Sequence, residues 1–179
     1  MGISFIQSER LILKPVSKEH CTLEYVSWLN DQKSMMYMES GFYPTTLDSL
    51  SKYIESVDHS KQLFLAIHEK ESGKHIGNIK LYNFLTLHQR ADYGILIGDK
   101  NSWGKGYASE ASIAIINHGF KKMNIRRIFL GVLEGNEAAI HLYKKLGFIQ
   151  EGTLRKDRYC DGEFIDCLIF GLMKEEWKF

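Results

Sequence analysis

Between Asp92 and Ala111 the chain reads Asp-Tyr-Gly-Ile-Leu-Ile-Gly-Asp-Lys-Asn-Ser-Trp-Gly-Lys-Gly-Tyr-Ala-Ser-Glu-Ala. A short run of β-favouring residues passes into a glycine-rich turn, and the turn opens a long stretch with apolar residues at helical spacing. A strand that enters a helix through glycines gathers unpaired backbone N–H groups and the positive end of a helix dipole at one point. Such a point attracts an anion, most often a phosphate. The feature therefore fixes a strand–turn–helix unit and poses the question of which phosphate compound it holds.

With 179 residues, 44% of them hydrophobic and 25% charged, the sequence is long enough for one domain, 1–179, with a sizeable core. A net charge of +1 gives no electrostatic case for a nucleic-acid partner or an acidic membrane surface. Cys21, Cys160 and Cys167 are odd in number, far apart and without a CxxC, which reads as reduced thiols and neither a disulfide framework nor a zinc site. The first ten residues lack the basic and apolar regions of a signal peptide, and no apolar run approaches the ~20 residues that span a bilayer. A cytoplasmic location is the expectation. No repeat, low-complexity tract or linker divides the chain.

Strands are expected at Arg10–Lys14, ending at Pro15, at Leu63–Ile67, at His75–Leu81 and at Ala91–Ile97, with a hairpin turn over Glu71–Lys74. Helices are expected from Ser17, as cap, to Asn30 and from Thr46 to Val57. After the glycine turn a buried helix should run from about Tyr107 to Met123, followed by a continuous apolar strand, Arg127–Leu133. Asn136 then caps a short helix in which Ala139, Leu142, Tyr143 and Leu146 form one stripe and Gly147 supplies the left-handed end. Strands at Phe148–Gly152 and Phe164–Met173 complete a mixed α/β domain.

Two familiar phosphate motifs fail on residues. A P-loop needs four residues between its glycine and its Gly-Lys-Ser/Thr, whereas five separate Gly98 from Gly104, and Gly106 stands where the hydroxyl should be. A dinucleotide turn needs GxGxxG, but Ser109 replaces the third glycine and Arg126 and Arg127 occupy the place of the ribose-binding acid.

A third pattern fits a longer stretch. Trp103-Gly-Lys-Gly-Tyr-Ala108 resembles the Q/R-x-x-G-x-G/A motif of the GCN5-related N-acetyltransferase (GNAT) family, with Trp103 in place of glutamine or arginine, as the RimJ/RimL-like branch tolerates. Asn136-Glu-Ala-Ala-Ile-His-Leu-Tyr-Lys-Lys-Leu-Gly-Phe148 is similar to the family's second signature, and Ser8–Leu13 and Glu151–Arg155 extend the likeness over most of the chain, weakest from Gln32 to Gln62. The resemblance implies a central mixed, mostly antiparallel sheet of about seven strands with two splayed central strands, flanked by about four helices.

It also implies a chemistry, the transfer of acetyl from acetyl-coenzyme A to a primary amine by direct attack on the thioester. The cosubstrate's phosphates would rest on the backbone of Trp103, Gly104, Lys105, Gly106, Tyr107 and Ala108. Its pantetheine arm would pair with a bulged strand at Ile95, Leu96 and Ile97, and Asn136 would contact it too. Tyr143 matches the tyrosine that donates a proton to the departing thiolate in several members, or else it packs with its apolar stripe. No general base identifies itself. Glu134 at the end of a central strand, Glu110 and His88 are the candidates, each also readable as a solvated surface residue. For the acceptor, Trp28, Met35, Met36 and Tyr37 suggest either an apolar wall or helix-packing core, and His88 is a further candidate contact. No histidine spacing implies a metal. The acceptor is open between a small molecule, including a nucleotide-linked amino sugar, and a protein N-terminus. A non-catalytic acyl-coenzyme A-binding domain is the competing reading. The expected assembly is a monomer or homodimer.

Overall fold

The computed structural model describes residues 4–179, so the first three residues of the stretch read as lacking a signal peptide lie outside it. One sheet of eight strands runs in the order β1-β2-β3-β4-β5-β6-β8-β7. Its members are β1 (Ile6–Gln7), β2 (Leu11–Pro15), β3 (Leu63–Glu69), β4 (His75–Leu85), β5 (Arg90–Ile97), β6 (Arg127–Leu133), β7 (Ile149–Cys160) and β8 (Glu163–Met173). The helices are α1 (Leu23–Leu29), α2 (Gln32–Met35), α3 (Leu47–Glu55), α4 (Tyr107–Lys122) and α5 (Glu137–Lys145). No helix among the described residues is long and apolar enough to cross a membrane.

The alternation of β3 and β4 assigns their side chains to two faces. Leu65, Ile67, Ile79, Leu81 and Tyr93 join Ile115, Ile116 and Phe120 of α4 and Ile140 and Tyr143 of α5 in the main core, which continues into Ile128, Leu130, Phe170 and Leu172 of β6 and β8. On the opposite face Phe64 and Ala66 meet Tyr25 and Trp28 of α1 and Leu50 and Ile54 of α3 in a second cluster. Each fully buried side chain of this size stabilises the fold by roughly 1.5–3 kcal/mol before entropy is subtracted.

Every pairing is antiparallel except β5 with β6, which is parallel and lasts only from Arg90↔Arg127 to Asp92↔Phe129. Beyond Asp92, β5 stays with β4 while β6 stays with β8, so the two central strands part into a V.

Several elements depart from the sequence expectation. The helix expected from Ser17 to Asn30 is interrupted. Ser17 opens only a single 3-10 turn, Lys18–His20, because the buried His20 ring turns back to accept the Ser17 N–H at 3.0 Å. Thr22 then caps α1, accepting the Tyr25 N–H at 3.1 Å. The eighth strand is the two-residue β1, too short to show a period, and the fifth helix is the single turn α2, capped by Asp31. The bulge expected on β5 lies on β4, where Tyr82 faces Asp92 and Leu85 faces Arg90, with Asn83 at φ 51°. Its side chain donates to Asp92 Oδ2 at 2.9 Å, beside the point where β5 and β6 part.

Candidate active site

The turn after β5 is built by its own side chains. Asp99 accepts from Ser102 Oγ at 2.7 Å and from the Asn101 N–H at 3.3 Å, and Trp103 donates its indole N–H to Ile97 O at 2.8 Å. Gly104 and Gly106 follow at φ +73° and +81°, a region costly for residues with a Cβ. The first helical bond is from the Glu110 N–H to Gly106 O, 3.1 Å. Among the described residues, the N–H groups of residues 104–109 have no acceptor. They form the row of free donors that the dipole of a sixteen-residue helix makes attractive to a pyrophosphate. Lys105 is exposed, and its carbonyl accepts from Arg10 at 3.0 Å.

Glu110 holds this loop to the rest of the molecule. It accepts from Ser8 Oγ, the Arg10 N–H and Arg10 Nε, each at 2.7 Å. Burial raises its pKa, but these hydrogen bonds and the guanidinium outweigh burial and hold the carboxyl below its usual range. The Arg10 guanidinium also lies 4.7 Å from the centre of the Tyr107 ring, whose hydroxyl donates to Glu69. Glu110 is thus occupied as an anchor of the glycine turn and is not a free base.

Tyr143 lies at the parting of β5 and β6. Its ring is buried at 8% exposure, edge-on to Tyr93 at 5.9 Å and against Phe148 and Phe170. The hydroxyl has no partner among the described residues and is not itself sealed from the surface. Burial, with a smaller contribution from Tyr82, pushes its pKa up to about 12. The end of α5 fixes this residue. Phe148 N–H donates to Tyr143 O and Gly147 N–H to Lys144 O, both at 3.0 Å, with Gly147 at φ +90°. Those two bonds are the Schellman pair. At the other end, Asn136 Oδ1 accepts the Ala139 N–H at 3.3 Å, so the capping role is observed and its amide nitrogen stays free for a second partner.

Glu134 is exposed beyond the end of β6, five residues past the last β5 pairing at Phe129, or about 16 Å along a strand. His88 is exposed on the turn between β4 and β5, at the closed end of the V. The structure brings neither of them to the parting of the strands.

On the α1–α3 face of the sheet a cavity of about 510 Å³ reaches from Tyr25, Tyr43 and Tyr53 down to Gly94, Ile95 and Leu96 of β5. Trp28 does not line it. It is 7% exposed, packed against Gly98 and 5.0 Å from the His75 ring. Tyr37 is half-buried beside a second pocket and donates to Gly135 O at 3.0 Å, tying the segment after α2 to the turn after β6. Met35 is core at 2% exposure, and Met36 is exposed in the second pocket.

Two cavity residues, Asn78 and Lys80, escaped the sequence reading. They alternate with Ile79 and Leu81 on β4, so their face was legible in the period-two pattern. What that face meets was not, because α1 and α3 cover it from far away in sequence. No group among the described residues could hold a metal.

The sequence model of the family described as Acetyltransferase (GNAT) domain matches residues 10–149. The uncharacterized N-acetyltransferase p20 of Bacillus licheniformis is 30% identical over 179 residues, 96% of this chain and 97% of that protein. Spermidine N(1)-acetyltransferase of Escherichia coli K12 is 28% identical over 167 residues, 92% and 87% of the two chains. Among solved structures, spermidine N-acetyltransferase from Vibrio cholerae, in complex with CoA and spermine, superposes with a TM-score of 0.84 at 22% identity, covering 94% of this chain and 98% of that one. With the parted strands, the row of free N–H groups and Tyr143 already in place, the chain belongs to the GNAT acetyltransferase family and is an acetyl-coenzyme A-dependent N-acetyltransferase.

Proposed function

We propose that the chain acetylates a small primary amine that reaches the V from the α1–α3 cavity, by direct attack on the thioester through a tetrahedral intermediate. The feature that carries this reading is the hydroxyl of Tyr143, without a partner among the described residues, on a ring that packs edge-on against Tyr93 of β5, one residue past the last β5–β6 pair.

Acetyl-coenzyme A supplies the activated acyl group. The chain's residues do the rest. The N–H groups of residues 104–109 bind the pyrophosphate, assisted by Lys105 and with Asn136 beside the arm. The β6-facing edge of β5 at Ile95–Ile97, which has no strand partner among the described residues, pairs with the pantetheine amides and offers an N–H to the oxyanion. Tyr143, with a pKa of about 12, remains protonated at neutral pH and donates a hydrogen bond to the leaving sulfur. A thiol titrates near 8.5, so the sulfur gains stabilisation without having to take the tyrosine's proton completely. The acceptor must be neutral to attack, and an alkylamine is mostly protonated at pH 7. Glu39, the carboxylate lining the cavity, is paired with Arg158, so the ammonium proton leaves through cavity water. Trp103 at the first motif position supports the RimJ/RimL-like branch.

Tyr143→Phe keeps the ring packing and removes the donor. The expected outcome is a fall in kcat of about 10²-fold with coenzyme A affinity by calorimetry changed less than about twofold. Unchanged turnover would remove the acid role. An acceptor screen over polyamines, peptides and amino sugars tests the activity itself, and coenzyme binding without transfer to any of them would favour the non-catalytic reading.

A further inference from the structure

Lys80 is a cation inside the acceptor cavity that the transfer chemistry leaves unused. It extends from the centre of β4 with Nζ 4.2 Å from the centre of the Tyr82 ring and 6.0 Å from that of Phe64. Among the described residues it has neither a carboxylate partner nor a hydrogen bond, and desolvation alone lowers its pKa. Its register partner on β5 is Gly94, two residues past the last β5–β6 pair. A Cβ at Gly94 would stand 3.5 Å from Lys80 Cε and 3.8 Å from Tyr82, an ordinary contact distance, so the lysine stem lies across β5 beside the V.

A second donor shares the face. Asn78, two residues earlier on β4, is 4% exposed, lines the same cavity, and has a buried Nδ2 without any acceptor. Its orientation is set from behind. His75 Nε2–H donates to Asn78 Oδ1 at 3.1 Å and to Gly77 O at 2.9 Å, and burial keeps that imidazole neutral, with a pKa of about 4. With its oxygen held by His75, the amide turns its N–H₂ away from the histidine. A buried donor without a partner is costly, as is a desolvated ammonium facing only aromatic rings. Lys80 Nζ, unlike the Asn78 amide nitrogen, is not sealed, and it is the group on this wall that an anion in the cavity can meet.

We infer that Lys80, beside Asn78 on the cavity wall, forms an anion subsite in the acceptor cavity, so that the substrate is a small primary amine that also carries a carboxylate or a phosphate. The inference rests on the cavity being the acceptor side. It sets this chain apart from a polyamine acetyltransferase, because a polycation entering here meets Lys80, while Glu39, the cavity's carboxylate, is already held by Arg158. The volume of about 510 Å³ suits a ligand of this size.

The test uses matched amines on the whole chain. Butylamine against 4-aminobutanoate isolates a carboxylate, ethanolamine against O-phosphoethanolamine isolates a phosphate, and spermidine represents the polycation. Two readouts are taken, kcat/KM with acetyl-coenzyme A and the Kd of each amine in the presence of coenzyme A. At least one anionic amine should exceed its neutral partner by about tenfold or more in both, the pair that does so naming the anion. Lys80→Met should abolish that preference while leaving the neutral amine and the coenzyme A Kd within about twofold.

Equal binding of neutral and anionic amines, or a preference for spermidine, overturns the inference. So does a Lys80→Met loss of equal size on both members of a pair, the mark of a base or a structural residue. If no amine is acetylated, the proposed function fails, and the Kd comparison still decides the anion subsite by itself.

Discussion

At the scale of single residues, the carboxylates around the cleft divide by what already holds them. Glu110 accepts from a hydroxyl, a backbone N–H and a guanidinium, so it has no lone pair to offer an ammonium. Its work is to pin the glycine turn to the connection between β1 and β2, and its removal should be felt in coenzyme binding. Glu110→Gln is expected to raise the KM for acetyl-coenzyme A by about threefold to tenfold with kcat nearly unchanged, since a hydrogen bond to a charged group is worth about 1.5–3 kcal/mol and part of it survives in the amide. A fall in kcat at constant KM would return Glu110 to the list of bases. Residue identity in the sequence was informative where backbone chemistry dictated it. Gly104, Gly106 and Gly147 all adopt the positive φ that motivates a glycine, and Asn136 caps as its type suggests. It was uninformative for side chains whose meaning depends on distant neighbours. Trp28 read equally as wall or core until Gly98 and His75 were found against it.

Elements show the same division. The strong apolar periods of α4, α5, β3 and β6 gave their limits to within a few residues, because one face of each lies in the main core. β7 was underestimated. It continues to Cys160, yet all its residues before Cys160 are exposed, so no alternation marks it, and its pairing with β8 alone holds it. The α1 region failed for another reason, since the break at Cys21 and Thr22 is imposed by the His20 ring and not by a helix-breaking residue. In the proposed mechanism α5 is the element closest to the chemistry, because its Schellman end carries Tyr143 as the residue whose carbonyl receives the Phe148 N–H. Gly147→Ala places a Cβ at φ +90°, at a cost of about 1–2 kcal/mol. The expected result is a lower denaturation midpoint, together with a loss of kcat exceeding any loss of coenzyme affinity. A variant as stable as the parent would show that the helix end tolerates another closure.

For the molecule as a whole, three histidines join elements that the sequence keeps apart. His20 and His68 bring their Nε2 atoms to 3.1 Å, and the His75 ring lies 5.2 and 5.3 Å from the two of them. Burial lowers the pKa of all three, with like-charge repulsion adding to it for His20 and His75, the latter reaching about 4. The folded state therefore binds protons less readily than the unfolded chain, whose histidines titrate near 6.5. The stability this cluster supplies is complete above about pH 6.5 and drains as pH falls towards 4. Thermal midpoints measured from pH 7.5 to 4.5 should fall for the parent chain, with a shallower slope in His75→Phe, and equal slopes would disprove the linkage. The sheet's central seam has a mechanical consequence of its own. Among the described residues only three parallel pairs, Arg90 to Asp92 with Arg127 to Phe129, join its halves. The core beneath α4 and α5 runs across the seam, whereas the cluster beneath α1 and α3 stays on one side of it. One face of the sheet is thus splinted by core, and on the other the segment after α2 crosses the seam, with polar ties from Tyr37 to Gly135, Glu39 to Arg158 and Cys160 to Met36. Such a sheet should be stiffer on one face than on the other, like a book bound along one side, with its looser side the face that carries the cavity through which the amine is proposed to enter.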